Sequence, residues 1–365
     1  MNSKTPLIHI TKRSDIPVGR AILIRVIAIA AALLLCGFLT TLLTGLNPIE
    51  VYASMIRGSF GTSRKLWNLL QNMAMLLCVA LALAPAFRMR FWNLGGDGQA
   101  LMGCLAASAC MILIGDKVSN TALIIIESVA ALAAGAIWAL IPAIFKAKWN
   151  TNETLFTLMM NYVATQIVAF FIIIWESPKG SGNIGVINQH TEAGWFPSIG
   201  SNKYLLNVLI VIALTLIIFF YMRYTKHGYE ISVVGESERT ARYIGIKVHK
   251  VIIRTMLLSG AICGLAGLLL GPGTNHTLAT GIIDGRGFTA VMVAWLAKFD
   301  PLVMIITSFL LVFLQRGSNE IATAFMLNKS FGDILTGIIL FFIIGSDFFI
   351  NYQLHFRKSG RKEAK

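Results

Sequence analysis

The sequence has few charged residues and few cysteines for a chain of 365 residues. Charged residues make up only 13% of the chain and apolar residues 56%, and the apolar residues cluster in runs longer than a soluble core needs. The five cysteines all lie in apolar runs without metal-type spacing to histidine, so they imply neither a disulfide framework nor a zinc site. These features predict an all-α, polytopic membrane protein.

Recognisable catalytic motifs are also absent from the sequence. It contains no Ser/His/Asp arrangement, no HExxH, no paired carboxylates and no G-x-x-x-x-G-K-[ST] phosphate-binding loop. We therefore predict that the chain is not an enzyme and carries no cofactor, and that any ATP it uses binds to another subunit. The net charge of +14 is spread over short loops, which favours membrane orientation over nucleic-acid binding.

Ten apolar segments are candidates for membrane spans. They lie near residues 22–44, 66–87, 98–115, 121–145, 155–175, 204–224, 251–271, 287–297, 301–316 and 333–350. The eighth is too short to cross a hydrocarbon core of ~30 Å as a helix, so we expect a broken or re-entrant helix shielded by protein. The predicted transmembrane domain covers residues 22–350, between an N-terminal tail at 1–21 and a basic C-terminal tail at 351–365.

The basic residues indicate how the chain is oriented. Most of the 31 Lys and Arg residues fall in the two tails and in alternate loops, including the loop at residues 225–250. Because basic residues concentrate on the cytoplasmic side, both tails and this loop are predicted to be cytoplasmic.

The order of the spans suggests an internal repeat. The four spans from residue 66 and the four from residue 251 form two units of opposite sense, which is typical of inverted-repeat transport folds. In each unit the short second span follows a glycine-rich break, at residues 93–99 and 284–288. Paired interruptions predict a substrate pathway. The pathway candidates are Trp92, Asn93, Gly95, Asp97, Gln99, Asn161 and Phe288.

Several polar residues also have a simpler, purely structural interpretation. Asp97 could instead N-cap the third predicted span, and this is the favoured interpretation. Asn161 could form an interhelical hydrogen bond without contacting substrate. Glu127 lies inside an apolar run, where it could relay protons or could extend to the outer surface. His276 is expected to be a solvated loop histidine, with contact to substrate or a docking protein as the alternative.

Residues 225–250 form a polar, basic segment between two apolar spans. Within it, Glu236 to Ile244 predict one short helix, with Glu238 and Arg242 at the favourable i, i+4 spacing. This helix could be the point of contact for a separate ATP-driven subunit, or it could be a plain solvated surface helix. A loop that only connects two spans, however, could be much shorter.

Several segments of residues 40–345 resemble, in order, the permease subunits of bacterial ATP-binding-cassette (ABC) importers. They are NPIEVYASMIRGSFG, FRMRFWNLGGDGQALMG, NETLFTLMMNY, GYEISVVGESERTARYIGI and GFTAVMVAWLAKFDPL. The second is similar to F-N-I-G-x-E-G-Q, with Leu94 for Ile and Asp97 for Glu. The fourth is similar to the coupling segment G-x-x-x-R-A-V-G-x-N-x-x-A-A-x-Y-x-G-I, with Ser232 for a basic residue and Thr240 for alanine. Within that group, the chain is most similar to the permeases for branched-chain amino acids, simple sugars and nucleosides. It is especially similar to the type that works with basic-membrane-protein (purine nucleoside) receptors.

The resemblance implies a permease domain that imports a small polar solute by alternating access across the bacterial plasma membrane, with nucleosides favoured and simple sugars next. It implies three kinds of partner besides membrane lipid: a pair of ABC ATPase subunits, a second and different permease chain, and an extracellular substrate-binding lipoprotein. The implied ATPase-coupling residues are Glu236, Glu238, Arg239, Ala241, Arg242, Tyr243 and Gly245. The alternative function is a secondary transporter driven by an ion gradient, which would depend on Glu127. A membrane-embedded enzyme or a structural scaffold fits less well.

Overall fold

A computed structural model describes residues 8–13, 17–200 and 202–356. The first helices are α1 (Val18–Thr44), α2 (Pro48–Phe60), α3 (Ser63–Arg88), α4 (Gly96–Ile114), α5 (Asn120–Trp149), α6 (Glu153–Trp175) and α7 (Leu205–Tyr224). The others are α8 (Lys226–Glu236), α9 (Glu238–Tyr243), α10 (Val248–Leu270), α11 (Arg286–Leu296), α12 (Pro301–Ala324) and α13 (Lys329–Asn351). A π-helical turn follows α10 at Gly271–Asn275, and strands β1 (Ile8–Lys12) and β2 (Tyr352–Phe356) pair antiparallel.

The helix lengths confirm an all-α membrane protein. Within the part of the chain that the structure describes, nine helices are long and apolar enough to cross a membrane. They correspond to nine of the ten predicted segments. The remaining one, the eighth predicted segment, corresponds to α11, which has only 11 residues and is too short to cross, as the sequence predicts.

Two elements have no counterpart among the predicted segments. Helix α2 begins at Pro48 behind Asn47, whose side chain accepts a hydrogen bond from the amide of Ile49 at 3.0 Å. Proline is well suited to the first helical position because its missing N–H would have no helical partner there. The hairpin of β1 and β2 adds structure to the predicted tails, and α1 already begins at Val18, inside the predicted N-terminal tail.

The chain divides into two compact units, the first of which contains Met1–Lys65 and Phe313–Lys365. Here α1 packs along α13. Arg25 and Asp347 join these two helices by an ion pair of 3.2 Å, and Lys65 pairs with Glu320 at 2.8 Å.

The second unit, Leu66–Val312, has its core where α4, α5 and α10 meet. Glycine allows these backbones to come unusually close. A Cβ placed on Gly264 of α10 would lie 2.1 Å from the carbonyl oxygen of Ala131 of α5, and one on Gly267 would lie 1.9 Å from that of Ala100 of α4. Such small-residue contacts replace the hydrophobic driving force that is missing between helices in lipid.

Candidate functional site

Helix α6 holds the first glycine-rich break in place. The Asn161 side chain accepts from the Gly98 amide at 2.8 Å and donates to the Leu94 carbonyl at 2.8 Å. One turn earlier, the Thr157 hydroxyl accepts from the Leu94 amide at 3.1 Å. The interhelical hydrogen bond expected of Asn161 is therefore present, and both ends of its amide are used.

A second, buried network of side-chain amides also holds this break in place. The Asn93 oxygen accepts from the Gly95 amide at 3.0 Å and from the Gln99 side chain at 3.1 Å, and its nitrogen donates to Ser259 at 3.2 Å. Asn93 and Gln99 are fully buried, with exposed fractions of 0% and 1%. These side chains stabilise the backbone of the break.

Asp97 joins the two glycine-rich breaks. The expectation that it caps its own helix is wrong: the N-cap of α4 is Gly95, and α4 has no side-chain cap. Instead, the Asp97 carboxylate accepts from the Gly287 amide, in the first turn of α11, at 2.7 Å. A Cβ on Gly287 would lie only 2.8 Å from the Asp97 amide nitrogen and from its carboxylate oxygen, so glycine permits this close approach.

A cavity of about 330 Å³ lies beside this junction, between α4, α6 and residues 280–288. It is lined by Asp97, Leu101, Leu158, Asn161, Tyr162, Thr165, Thr280, Gly281, Ile283, Asp284, Gly285 and Phe288. Three of the pathway candidates, Asp97, Asn161 and Phe288, thus share one cavity. Tyr162 also lines it, although the sequence offered no pattern that distinguishes this residue.

Trp92 lies outside this cavity, in an aromatic cluster. Its ring stacks on Trp295 of α11 with 5.4 Å between centroids and meets the edge of Phe87 at 5.8 Å. Phe299 stacks on Phe87 at 6.5 Å. The cluster joins the end of α3 to the end of α11 by ring contacts.

Two other polar residues have surroundings that differ from those expected. Glu127 is fully buried, so the alternative in which it extends to the outer surface is wrong. Neither of its carboxylate oxygens has a hydrogen-bond partner among the described residues. His276 is not a freely solvated loop residue. It stacks on Trp195 at 3.8 Å, its Nδ1 lies 2.7 Å from the Pro272 carbonyl oxygen, and burial lowers its pKa.

The loop at residues 225–250 contains two helices rather than the single helix predicted from Glu236 to Ile244. Glu236 ends α8, and Ser237 N-caps α9 by accepting from the Thr240 amide at 3.2 Å. In α9, Arg242 pairs with Glu238 at 3.3 Å, as the i, i+4 spacing predicts.

The coupling candidates of α9 differ in exposure. Ala241 is fully buried, whereas Tyr243 is 92% exposed. Arg239 and Arg242 are exposed as well. Gly245 follows the helix with a φ of +87°, a conformation that favours glycine. Helix α9 therefore presents an aromatic and basic face that no described residue covers.

Helix α8 packs tightly on the ends of two membrane helices. A Cβ on Gly228 would lie 2.5 Å from the Met222 carbonyl oxygen of α7, and one on Gly235 would lie 2.0 Å from the Arg88 carbonyl oxygen of α3. His227 hydrogen-bonds to the Tyr221 hydroxyl, and burial lowers the pKa of this histidine. A displacement of α8 would therefore act directly on α3 and α7.

Comparison with known proteins identifies the family. The family described as "Branched-chain amino acid transport system / permease component" matches residues 66–344. The chain belongs to this family. It is the membrane-spanning permease subunit of an ABC importer.

Relatives of this permease match nearly their whole length. The guanosine ABC transporter permease of Bacillus subtilis is 28% identical, over 89% of this chain and 93% of its own. The nucleoside ABC transporter permease of Lactococcus lactis is 28% identical, over 89% and 91%. The glucose ABC transporter permease of Haloferax volcanii is 25% identical, over 95% and 93%. No solved structure gives a significant match.

The described residues hold no candidate metal centre, since no three His, Cys, Asp or Glu side chains among them cluster closely enough to bind an ion. The named relatives are themselves transport subunits.

Proposed function

We propose that this permease carries nucleosides inward across a bacterial plasma membrane and that the cavity beside Asp97 contacts the solute. The observation that carries the proposal is the lining of this cavity. Tyr162 and Phe288 are 69% and 48% exposed and offer aromatic faces to a nucleobase. Asp97 and Asp284 offer carboxylate oxygens to ribose hydroxyls. Two relatives that match over most of their length transport guanosine or nucleosides by name, which supports the same solute.

The proposal places the solute where two membrane segments are interrupted. The cavity volume of about 330 Å³ lies at the lower end of the range of about 300–1,000 Å³ for small-molecule sites. Because Asp97 bridges α4 and α11, a change in the relative position of the two breaks would change the shape of the cavity. Alternating access requires such a coupling between helix movement and the solute site.

Uptake by aromatic variants tests the solute site. Tyr162→Ala and Phe288→Ala should each lower nucleoside uptake about tenfold, because stacking of a base on an aromatic side chain contributes about 1–3 kcal/mol. Phe170→Ala is the matched control, since Phe170 is an exposed aromatic residue of α6 outside the cavity. Unchanged uptake by both cavity variants would contradict the proposed site.

Simple sugars are the second candidate solute, because the glucose permease of Haloferax volcanii is similar over 95% of this chain. Competition separates the two solutes. Unlabelled glucose should leave the uptake of labelled guanosine unchanged, whereas unlabelled uridine or inosine should reduce it. Uptake of labelled glucose together with no uptake of labelled guanosine would assign the importer to sugars.

The proposed partners are those of an ABC importer. With both termini in the cytoplasm, α9 would dock in a groove of the ATPase subunit through Tyr243 and the basic residues beside it. A second permease chain of different sequence would complete the pathway. An extracellular lipoprotein would deliver the solute to the loops on the outer side.

A negative charge introduced on α9 tests the docking. Tyr243→Glu should abolish both uptake and co-purification of the ATPase without harming folding, since this side chain is 92% exposed. Lys226→Glu, at the exposed start of α8, should leave the ATPase bound and serves as the control. Uptake that persists without the ATPase would favour the ion-driven alternative.

A further inference from the structure

A second cavity, of about 540 Å³, lies where α8 meets the ends of the membrane helices. Arg88 from the end of α3, Arg223 from α7 and Lys298 from the turn before α12 all line it. None of these three cations forms an ion pair with a described residue. The single carboxylate in the lining, Asp300, already accepts from the Leu302 amide at 2.9 Å as the N-cap of α12. The cavity therefore has an excess of positive charge.

The remaining lining of this cationic cavity is amphipathic. Phe219, Met222 and Phe299 supply apolar surface, while Tyr229 and Ser232 of α8 supply hydroxyl groups. Just before the cavity, α7 exposes further apolar surface at Phe220, which is 57% exposed. A ligand suited to this site has an anionic head with several acceptor oxygens and an apolar body beside it.

We propose that the cationic cavity binds the phosphate headgroup of an anionic phospholipid. Arginine forms strong charge-assisted hydrogen bonds to phosphate, and basic pockets between membrane helices on the cytoplasmic side bind such headgroups. The cavity lies at the level where α3 and α7 end and α12 begins. Phospholipid phosphates occupy the corresponding level of a bilayer, so the ligand is available without a separate source.

A second basic cavity of the permease is less suited to this role. It includes Lys146 and Arg242, but Lys146 pairs with Glu153 at 2.9 Å and Arg242 pairs with Glu238 at 3.3 Å. Lys148 and Lys247 also line it and form no ion pair with a described residue, so its excess of charge is similar, but its lining holds no Phe, Tyr, Trp or Met side chain to contact the apolar body of a lipid. The cationic cavity around Arg223 and Lys298 has no such pairs among the described residues.

The position of the cationic cavity gives the lipid a regulatory effect. Tyr229 and Ser232 belong to α8, and Gly235 of the same helix packs on the Arg88 carbonyl oxygen. A headgroup bound between α8 and the ends of α3 and α7 would hold these elements together. Anionic lipid should therefore strengthen the mechanical link between the ATPase and the membrane helices.

Lipid retention by the purified importer complex tests the site. After delipidation, the complex is titrated with phosphatidylglycerol or phosphatidylcholine, and bound lipid is counted by native mass spectrometry. Arg223→Gln combined with Lys298→Gln should weaken phosphatidylglycerol binding about thirtyfold, from about 1 kcal/mol for each basic side chain. Lys226→Gln combined with Lys250→Gln removes the same charge outside the cavity and should bind normally.

Three outcomes would overturn the proposal. They are unchanged phosphatidylglycerol binding by the Arg223 and Lys298 variant, equal binding of phosphatidylcholine by the wild type, and displacement of the lipid by millimolar inorganic phosphate. The last would show that the site takes a free anion. Thermal unfolding of both double variants confirms that the complex stays intact. Because the readout is bound lipid, the result does not depend on which solute is transported.

Discussion

The contact between α8 and α3 yields the sharpest test of how force enters the membrane helices. In Gly235→Ala, the new Cβ would lie 2.0 Å from the Arg88 carbonyl oxygen, whereas ordinary contacts begin at 3.4 Å. The obstacle is backbone, which cannot rotate away as a side chain can. Helix α8 must therefore move by about 1.4 Å, and overpacking of this kind typically costs about 1–3 kcal/mol.

The displacement should uncouple transport from ATP hydrolysis. The exposed face of α9 around Tyr243 is unaltered in Gly235→Ala, so the ATPase should still co-purify. Uptake into proteoliposomes should fall at least tenfold, while ATP hydrolysis in the same preparation continues. Gly337→Ala is the control, because a Cβ on this glycine of α13 would meet nothing within 4 Å. Uptake at the wild-type level by Gly235→Ala would refute the tight contact and the coupling inferred from it.

Three further predictions concern single side chains. Asp97→Ala should lower the free energy of unfolding by about 0.5–2 kcal/mol and reduce uptake, because the Gly287 amide in the first turn of α11 loses its acceptor. Asp97→Asn keeps an acceptor oxygen for that amide and should retain most of the stability; equal stability of the two variants would contradict this role. Glu127→Gln should transport normally, because an unpartnered buried carboxylate is better tolerated as a neutral group, and a loss of uptake with altered ion dependence would instead support the ion-driven alternative. Burial lowers the pKa of His227 below its usual value of about 6.5, so the stability that depends on the neutral imidazole is present above that pH and lost as pH falls. Thermal unfolding between pH 7.5 and about 5.5 should accordingly show a smaller decline for His227→Gln than for the wild type, and equal declines would contradict this.

The membrane helices could be predicted from the sequence because their signal is local. A run of about 20 apolar residues satisfies its own backbone hydrogen bonds as a helix, so length and hydropathy suffice. Helix α2 escaped prediction because its mixed composition carries no such run. The boundary between α8 and α9 escaped because it depends on Ser237, whose side-chain cap on Thr240 competes locally with continuation of the helix.

The candidate site could be predicted only in part. The two glycine-rich breaks are visible in the sequence, and their paired positions predicted that they belong to one pathway. Which atoms meet there could not be predicted, because Asp97 and Gly287 are 190 positions apart and nothing local specifies that contact. Tyr162 was missed for the same reason, because its place in the cavity lining depends on residues far away in the sequence. The inverted repeat itself stays a prediction.

A short series of contacts in the second unit connects α8 with the cavity beside Asp97. Helix α8 touches the Arg88 carbonyl oxygen, and the chain then runs through a tight turn, in which the Phe91 amide donates to the Ala86 carbonyl at 2.9 Å. Asn93, held by its buried amide network, fixes the end of that turn immediately before Asp97. Fewer than ten residues therefore separate the point where α8 contacts α3 from the carboxylate that bridges α4 and α11. Because this segment is short and its turn is held by hydrogen bonds, few residues in it can change conformation to absorb a movement of about 1 Å at α8. The cavity beside Asp97 is thus the place where we expect such a movement to have its effect.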